Sequence, residues 1–336
     1  MILKRVLAAI PTLFLVTLLS FTLMRSLPGD PVEIMLGSAQ KELPADDLKA
    51  LQKEFGLDQN PAKQYIFWLK GWFDNSTPVT ANALGRSYRD ARPVKEVILE
   101  RVACTLALVG LALILAFVLG ILLGTALAFF ALVSMRNQKT LARSADSLLT
   151  GALLAFYSAP NFWLAFLMLA AIQAGLVNLS VLGVHGPGQA ITLTGLLTHM
   201  AAPALILASR RTAKVALFIR TMALEELGRE YVITALAKGL SYPQVIFNHV
   251  LKNCLIPIVS LIGLSLPALI GGSVLIETIF CVPGLGRLTV EATFGRNYPV
   301  LLGLVTLYGT AVIAANLIAD SLTGLVDPRQ RQSQEA

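Results

Sequence analysis

From Val102 to Val133 the chain runs without one charged side chain, bracketed by Arg101 and Arg136. A helix needs about 20 apolar residues to cross the hydrocarbon core of a bilayer, so this run crosses with length to spare and must tilt or project beyond it. A helix also satisfies its own backbone groups, as lipid demands. The composition agrees: 55% hydrophobic and 14% charged residues, with a mean hydropathy of +0.70, place the chain among membrane proteins.

Other apolar segments follow the same logic. Lys4 and Arg5 precede a run from Val6 to about Leu27, which is long enough to span and has no small-residue cleavage site before Pro28. It reads as a retained first span rather than a signal peptide. A third span, from about Leu148 to Ala174, is bent at Pro160, which frees a backbone carbonyl. A fifth runs from about Leu255 to Phe280 and contains Gly271-Gly272-Ser273, small residues that let helices approach closely. A sixth, from about Val300 to Leu325, sets Asn316 and Asp320 on one face, as a polar cap at its cytoplasmic end or as an intramembrane pair.

Residues 28 to 96 form a polar insert. Pro44 to Phe55 reads as an amphipathic helix stopped by Gly56, with Leu48, Leu51 and Phe55 on one stripe. Asn60-Pro61 starts another, whose Tyr65, Trp68, Leu69, Trp72 and Phe73 suit either the outer membrane interface or packing against the spans. The loop from Gly175 to Thr198 has no Lys or Arg and is expected outside. His185 and His199 make a poor metal site, and Cys104, Cys254 and Cys281 have neither ligand spacing nor a disulfide framework, so no metal is expected.

The formal net charge of +7 lies in short loops between spans, which points to membrane orientation rather than nucleic acid. Expected cytoplasmic segments carry Lys4, Arg5, Arg136, Lys139, Arg143, Arg220, Arg229, Lys238, Lys252, Arg329 and Arg331, whereas the later external loops carry Arg287 and Arg296. Six transmembrane helices in an all-α polytopic membrane protein, with both ends inside, satisfy this count.

One polar run, Glu225 to Pro257, joins two apolar stretches. Tyr231 to Lys238 keeps a helical pattern, and Gly239 offers the left-handed position that ends a helix. Ser241 with Gln244 three residues on has capping-box spacing, and a second helix from about Tyr242 to Asn253 tolerates Pro243 in its first turn. Helix, glycine turn, helix between two spans is the shape of a docking element; it is also the shape of an ordinary connector.

The residues Thr234-Ala235-x-Ala237-Lys238-Gly239-Leu240-Ser241, then His249-x-x-x-Asn253-x-x-x-Pro257, resemble the EAA loop of permease subunits of the dipeptide, oligopeptide and nickel ABC importer family. Thr234 stands where the wider motif has Glu, as is usual in this branch. Leu27-Pro28-Gly29-Asp30-Pro31, Gly85-x-Ser87, Pro93-Val94, Ser158-Ala159-Pro160-Asn161-Phe162-Trp163, and Ile276-Glu277-Thr278-Ile279-Phe280 with Pro283-Gly284-Leu285-Gly286-Arg287 are similar to the same family. The stretch 74–84 is longer than the family usually has.

The resemblance implies a type I ABC importer permease fold in the bacterial inner membrane. Its domains would be a first helix at 1–27, a periplasmic insert at 28–96, a permease core at 97–325 containing the 225–257 coupling loop, and a tail at 326–336. Thr234, Ala235, Ala237, Lys238, Gly239, Leu240, Ser241 and Asn253 would couple to an ATPase. Glu277, Pro283, Gly284 and Gly286 would form a periplasmic turn where a soluble binding protein delivers substrate. The implied partners are a second homologous permease, two ABC ATPase subunits, an extracytoplasmic substrate-binding protein and membrane lipid. ATP would be bound by the partner subunits, so no cofactor is expected in this chain.

The resemblance also starts the fourth span near His199 and Pro203 and ends it near Met222. Arg210, Arg211 and Lys214 then sit near mid-membrane, where charges face a water-filled path or a partner. A competing register, from Ala190 to Ser209, makes them a basic flank. The cargo implied is a dipeptide or oligopeptide, with nickel or a metal chelate as the alternative. No GxxxxGK[ST], HExxH or GxSxG pattern occurs, so no enzyme activity is expected. An ABC exporter of cationic peptides or polyamines would keep the loop without a binding protein, and a self-contained channel or secondary transporter would need no docking loop.

Overall fold

The computed structural model describes residues 2–26, 58–71, 85–137, 140–177 and 193–326, with positions 44, 53 and 179. Apart from positions 44 and 53, the helix expected from Pro44 to Phe55 lies outside the described residues, as do Pro28 to Pro31, the 74–84 stretch, Trp72, Phe73, His185, Arg329 and Arg331. Apart from one isolated bridge between Arg86 and Pro93, the regular elements among those residues are helical. In chain order they are α1 (Ile2–Ser26), α2 (Pro61–Gly71), α3 (Val94–Asn137), α4 (Thr140–Ser158), α5 (Asn161–Gln173), α6 (Leu193–Leu227), α7 (Glu230–Ala237), α8 (Tyr242–Val245), a π-helical stretch (Ile246–Val250), α9 (Leu251–Ile279), α10 (Leu285–Phe294) and α11 (Tyr298–Val326).

Two helices among the described residues, Val94–Ser134 and Tyr298–Ala319, are long and apolar enough to cross a membrane; α4 and α5 make a third if they form one span. The third span breaks at Pro160, as expected, and α4 and α5 meet there at 107°. Pro160 disfavours helical backbone at Ala159 and itself takes an extended conformation as the N-cap of α5, so one helix stops and another starts. The second span begins at Val94, earlier than Val102 and than the core boundary at 97. Charged residues of its first turns, such as Glu96 and Glu100, tolerate a helix outside the apolar run.

The chain divides into two compact units. In the first, Met1–Cys104 with Pro283–Ala314, α2 lies on α1. Tyr65 and Trp68 are buried with Phe21 and Leu302, the Tyr65 ring meets Phe14 and Phe21 edge-on at 5.9 and 5.4 Å, and the Tyr65 hydroxyl lies 2.8 Å from Thr17 Oγ1. These aromatics therefore pack against α1 and α11, while Ile66 and Phe67 of the same helix are exposed. A second cluster joins Val94 and Ile98 of α3 to Leu285, Leu288 and Ala292 of α10 and Val300 and Leu304 of α11.

The second unit, Thr105–Val282 with Ala315–Ala336, is organised on α6. Gly120 and Gly124 of α3 face it so closely that an added Cβ would stand 2.7 Å from Val215 Cβ or Ile219 Cβ. Only glycine permits that approach, the small-x-x-x-small contact of membrane helices. Arg220 of α6 donates to both Asp146 oxygens of α4, at 2.9 and 2.7 Å, a bidentate pair of the stronger kind.

Candidate functional site

The element between α6 and α9 begins where Gly228 and Arg229 interrupt the helix and α7 restarts at Glu230. At the far end of α7, the Leu240 amide donates to Ala235 O at 3.3 Å and the Gly239 amide to Leu236 O at 3.0 Å. That is the Schellman pair, with Gly239 at φ +84 in its left-handed position. An added Cβ there would meet nothing within 4 Å, so the backbone angle, not crowding, requires glycine. The capping box forms next: the Gln244 Oε1 accepts from the Ser241 amide and hydroxyl, each at 2.9 Å.

The second helix departs from expectation. It does not end at Asn253 before a new span; α8 continues through the π-helical stretch directly into α9. The Leu251 amide reaches five residues back to Ile246 O, one residue further than an α-helix. No breaker stands between Val245 and Cys254, and Val245, Ile246, Val250 and Cys254 form a buried stripe against Ala128, Leu132, Ala223, Leu227, Val232 and Ala235. Burial of that stripe holds the helix continuous.

A polar cluster fixes the base of the element. Glu226 Oε2 accepts from the Tyr231 hydroxyl at 2.6 Å and from Asn253 Nδ2 at 3.0 Å, and Asn253 Nδ2 also lies 3.2 Å from the Tyr231 oxygen. The hydrogen bond from Tyr231 is the main cause that holds the Glu226 carboxyl below its ordinary range, despite partial burial. Burial, and then the bond to Glu226, push the Tyr231 hydroxyl up to about 12. Of this cluster only Asn253 stood among the expected site residues. The spacing from Glu226 to Tyr231 places both beside the helix break but does not indicate their contact with Asn253.

The remaining face is open. Thr234, Ala237, Lys238, Gly239 and Ser241 are exposed, Leu240 is half-buried and Ala235 is buried. Ile233 and Phe247 beside them are 50% and 57% exposed. The structure thus brings together an exposed, glycine-tipped knob of mixed polar and apolar surface on two long helices.

The second matched stretch is differently placed. Glu277 is fully buried in the last turn of α9, directly before the expected turn, and accepts from Thr105 Oγ1 of α3 at 2.9 Å. A buried carboxylate needs such a donor. Gly284 is the N-cap of α10, and Gly284 and Gly286 are buried, leaving Pro283 half-buried. The helix-ending turn of α9 has Cys281 at φ +55, with the Cys281 amide on Thr278 O at 3.3 Å and the Val282 amide on Glu277 O at 2.8 Å.

Arg210, Arg211 and Lys214 lie mid-way along the unbroken α6, so the helix has no end at Ser209. The Arg210 guanidinium lies 5.3 Å from the Tyr157 ring centre. Arg211 Nη2 donates to Ser265 O at 3.5 Å, beside the midpoint of α9, and Lys214 is exposed. His199 is half-buried, and no group of three or more His, Cys, Asp or Glu able to hold a metal occurs among the described residues.

Residues 120–332 match the family described as the inner membrane component of binding-protein-dependent transport systems, and residues 1–109 match that component's N-terminal family. The oligopeptide transport system permease protein AppB of Bacillus subtilis is 32% identical over 330 residues, covering 98% of each chain. The dipeptide transport system permease protein DppB of Escherichia coli K12 is 34% identical over 351 residues, again 98% of each. Among solved structures, an inward-facing MetNI methionine ABC transporter superposes with a TM-score of 0.53 at 18% identity, over 69% of this chain and 97% of that one, a likeness of fold.

Proposed function

Because the chain belongs to the binding-protein-dependent transport system inner membrane components, the permease subunits of ABC transporters, we propose that it forms half of an import path for peptides. The observation that carries this reading is the exposed knob around Gly239, clamped to α6 and α9 by Glu226, Tyr231 and Asn253. A loop that only connected two spans would need neither the clamp nor the exposed Ile233 and Phe247. Two separate ATPase subunits bind ATP and grip the knob, and their closure rocks α6 and α9 between inward- and outward-facing states.

The spans are α1, α3, the α4–α5 pair, α6, α9 and α11, six in all with both ends in the cytoplasm. The layout is a first helix at 1–27, a periplasmic insert at 28–96, a core at 97–325 and a tail at 326–336. A second homologous permease completes the path, and a soluble extracytoplasmic protein delivers cargo at the turn before α10. Glu277, Gly284 and Gly286 act there by holding the turn's shape, since they are buried. The peptide relatives favour peptides over nickel or a metal chelate as cargo.

Arg210, Arg211 and Lys214 line the route and favour cargo with a free carboxylate. The place of Arg211 beside the midpoint of α9 supports this, because a mid-membrane cation needs a wet path or a partner. An Arg211→Cys variant reacts with membrane-impermeant thiol reagent to an extent that changes with the nucleotide state; full reaction from the cytoplasm alone, in every state, sinks the path role.

The coupling role is tested by copurification from native membrane. The wild type brings down an ATPase subunit and a second permease, and Gly239→Asp loses the ATPase. A chain that purifies alone, or a variant that keeps its ATPase, leaves the element as a connector.

A further inference from the structure

The unit formed by Met1–Cys104 and Pro283–Ala314 holds a cavity of about 480 Å³, none of whose lining residues belongs to the element between α6 and α9. Interior packing leaves few voids larger than a water molecule, whereas ligand sites run from about 300 to 1,000 Å³. Val97, Leu288 and Val300 supply an apolar side, and Arg89, Asp90, Arg101 and Glu291 supply charge.

Those four charges are not equivalent. Glu291 accepts from Arg287 Nε at 2.8 Å, so its charge is already met. Asp90 accepts the Arg92 amide at 3.4 Å. Neither the Arg89 nor the Arg101 guanidinium makes a hydrogen bond or ion pair among the described residues; Arg101 lies only within the field of the exposed Glu100. The loop carrying Arg89 is held from behind. The buried Asn297 accepts the Tyr88 amide at 3.1 Å and donates to Ser87 Oγ at 2.9 Å. The cavity therefore offers two uncommitted guanidiniums on an anchored frame beside an apolar wall, and a guanidinium fits a carboxylate through two parallel bonds.

We propose that this cavity binds a carboxylate carried on an apolar body, with Arg89 and Arg101 as its recognition pair. The carboxylate comes either from the free C-terminus of a short peptide or from an acidic side chain within a longer segment. The inference stands on the cavity's own chemistry and survives failure of the coupling reading, which the Gly239→Asp copurification decides separately.

The test measures binding to the intact protein, with its copurifying subunits, in lipid nanodiscs. Three probes are compared: the dipeptide Leu-Phe, Leu-Phe amide, and acetyl-Ala-Glu-Phe amide. Leu-Phe binding at least tenfold tighter than its amide, and weakened at least tenfold by Arg89→Gln or Arg101→Gln, assigns the site to a C-terminus. The same losses seen with acetyl-Ala-Glu-Phe amide in place of Leu-Phe assign it to an acidic side chain. Arg101→Lys keeps intermediate affinity, because it retains charge without the planar fork. Equal binding of acid and amide, no binding of any probe, or unchanged affinity in glutamine variants that melt like the wild type overturns the proposal.

Discussion

Four of the described helices end in the same backbone turn, and two of them, α7 and α9, carry different residues at its left-handed position. At the end of α7 it is Gly239 at φ +84; at the end of α9 it is Cys281 at φ +55. Around Gly239 the framework is buried and the motif residues face outward. Around Cys281 the arrangement is reversed, with Glu277 hidden against Thr105 and Gly284 and Gly286 buried. Two stretches that are equally recognisable in sequence thus do different physical work. The first presents a surface, and the second fixes an interior. Recurring residues in the first report what a partner touches, and in the second they report how helices pack.

The largest expected effect sharpens the interior half of this contrast. Glu277→Ala removes a buried carboxylate together with its hydrogen bond from Thr105, which is expected to cost about 3 kcal/mol through cavity and lost bond. Thermal unfolding in nanodiscs reads it, and a wild-type melting curve would contradict the burial. The surface half predicts a different outcome. Gly239→Ala carries only the left-handed penalty of about 1–2 kcal/mol, while Gly239→Asn, which tolerates that region, stays closer to wild type. If both variants lose the ATPase equally, the surface matters beyond the turn; if Asn restores binding, the turn is the whole requirement.

Cys281→Gly tests whether the two turns are physically the same. Relief of the left-handed strain is expected to raise stability by about 1 kcal/mol, seen as a higher melting temperature; a fall would show that the Cys281 side chain contributes more than its backbone costs. The smallest effect belongs to Tyr231→Phe, at about 1 kcal/mol for one hydrogen bond. It also has a pH signature. The Glu226 carboxyl is depressed in the folded protein, so its contribution is present above the ordinary value of 4.5 and fades as pH falls. The Tyr231 hydroxyl is raised from 10.0 to about 12, so its contribution is present below pH 10 and fades as pH rises toward 12. Tyr231→Phe is expected to weaken both the alkaline and the acid limb in pH-dependent melting.

Much of this was legible in local sequence. Gly239 and the Ser241–Gln244 pair mark the helix end and the next start because capping chemistry acts within a few residues. Asn60-Pro61 opens α2 for the same reason. Pro160 marks a break, but not its angle, which neighbouring helices set. What local spacing misses is contact between distant positions. Asn297 with Ser87, and Thr105 with Glu277, are polar pairs separated by 210 and 172 residues. Gly120-x-x-x-Gly124 did carry a signal in its spacing, but inside a uniformly apolar run only the partner helix shows which face it serves. The continuity of α8 with α9 was hidden because Asn253 and Pro257 look like an end, while the buried stripe from Val245 to Cys254 decides otherwise.

The π-helical stretch at Ile246–Val250 has a consequence for how the chain tolerates changes of length. An α-helix turns about 100° and rises about 1.5 Å per residue, so one deletion within α9 swings everything beyond it to a new face. A π turn holds its extra residue locally, as a bulge. Losing one residue there converts the stretch to plain α-helix and leaves the orientations on both sides nearly unchanged. The joint is thus a place where insertion and deletion can be absorbed, and the knob can be refitted to a partner without turning the helix that carries it.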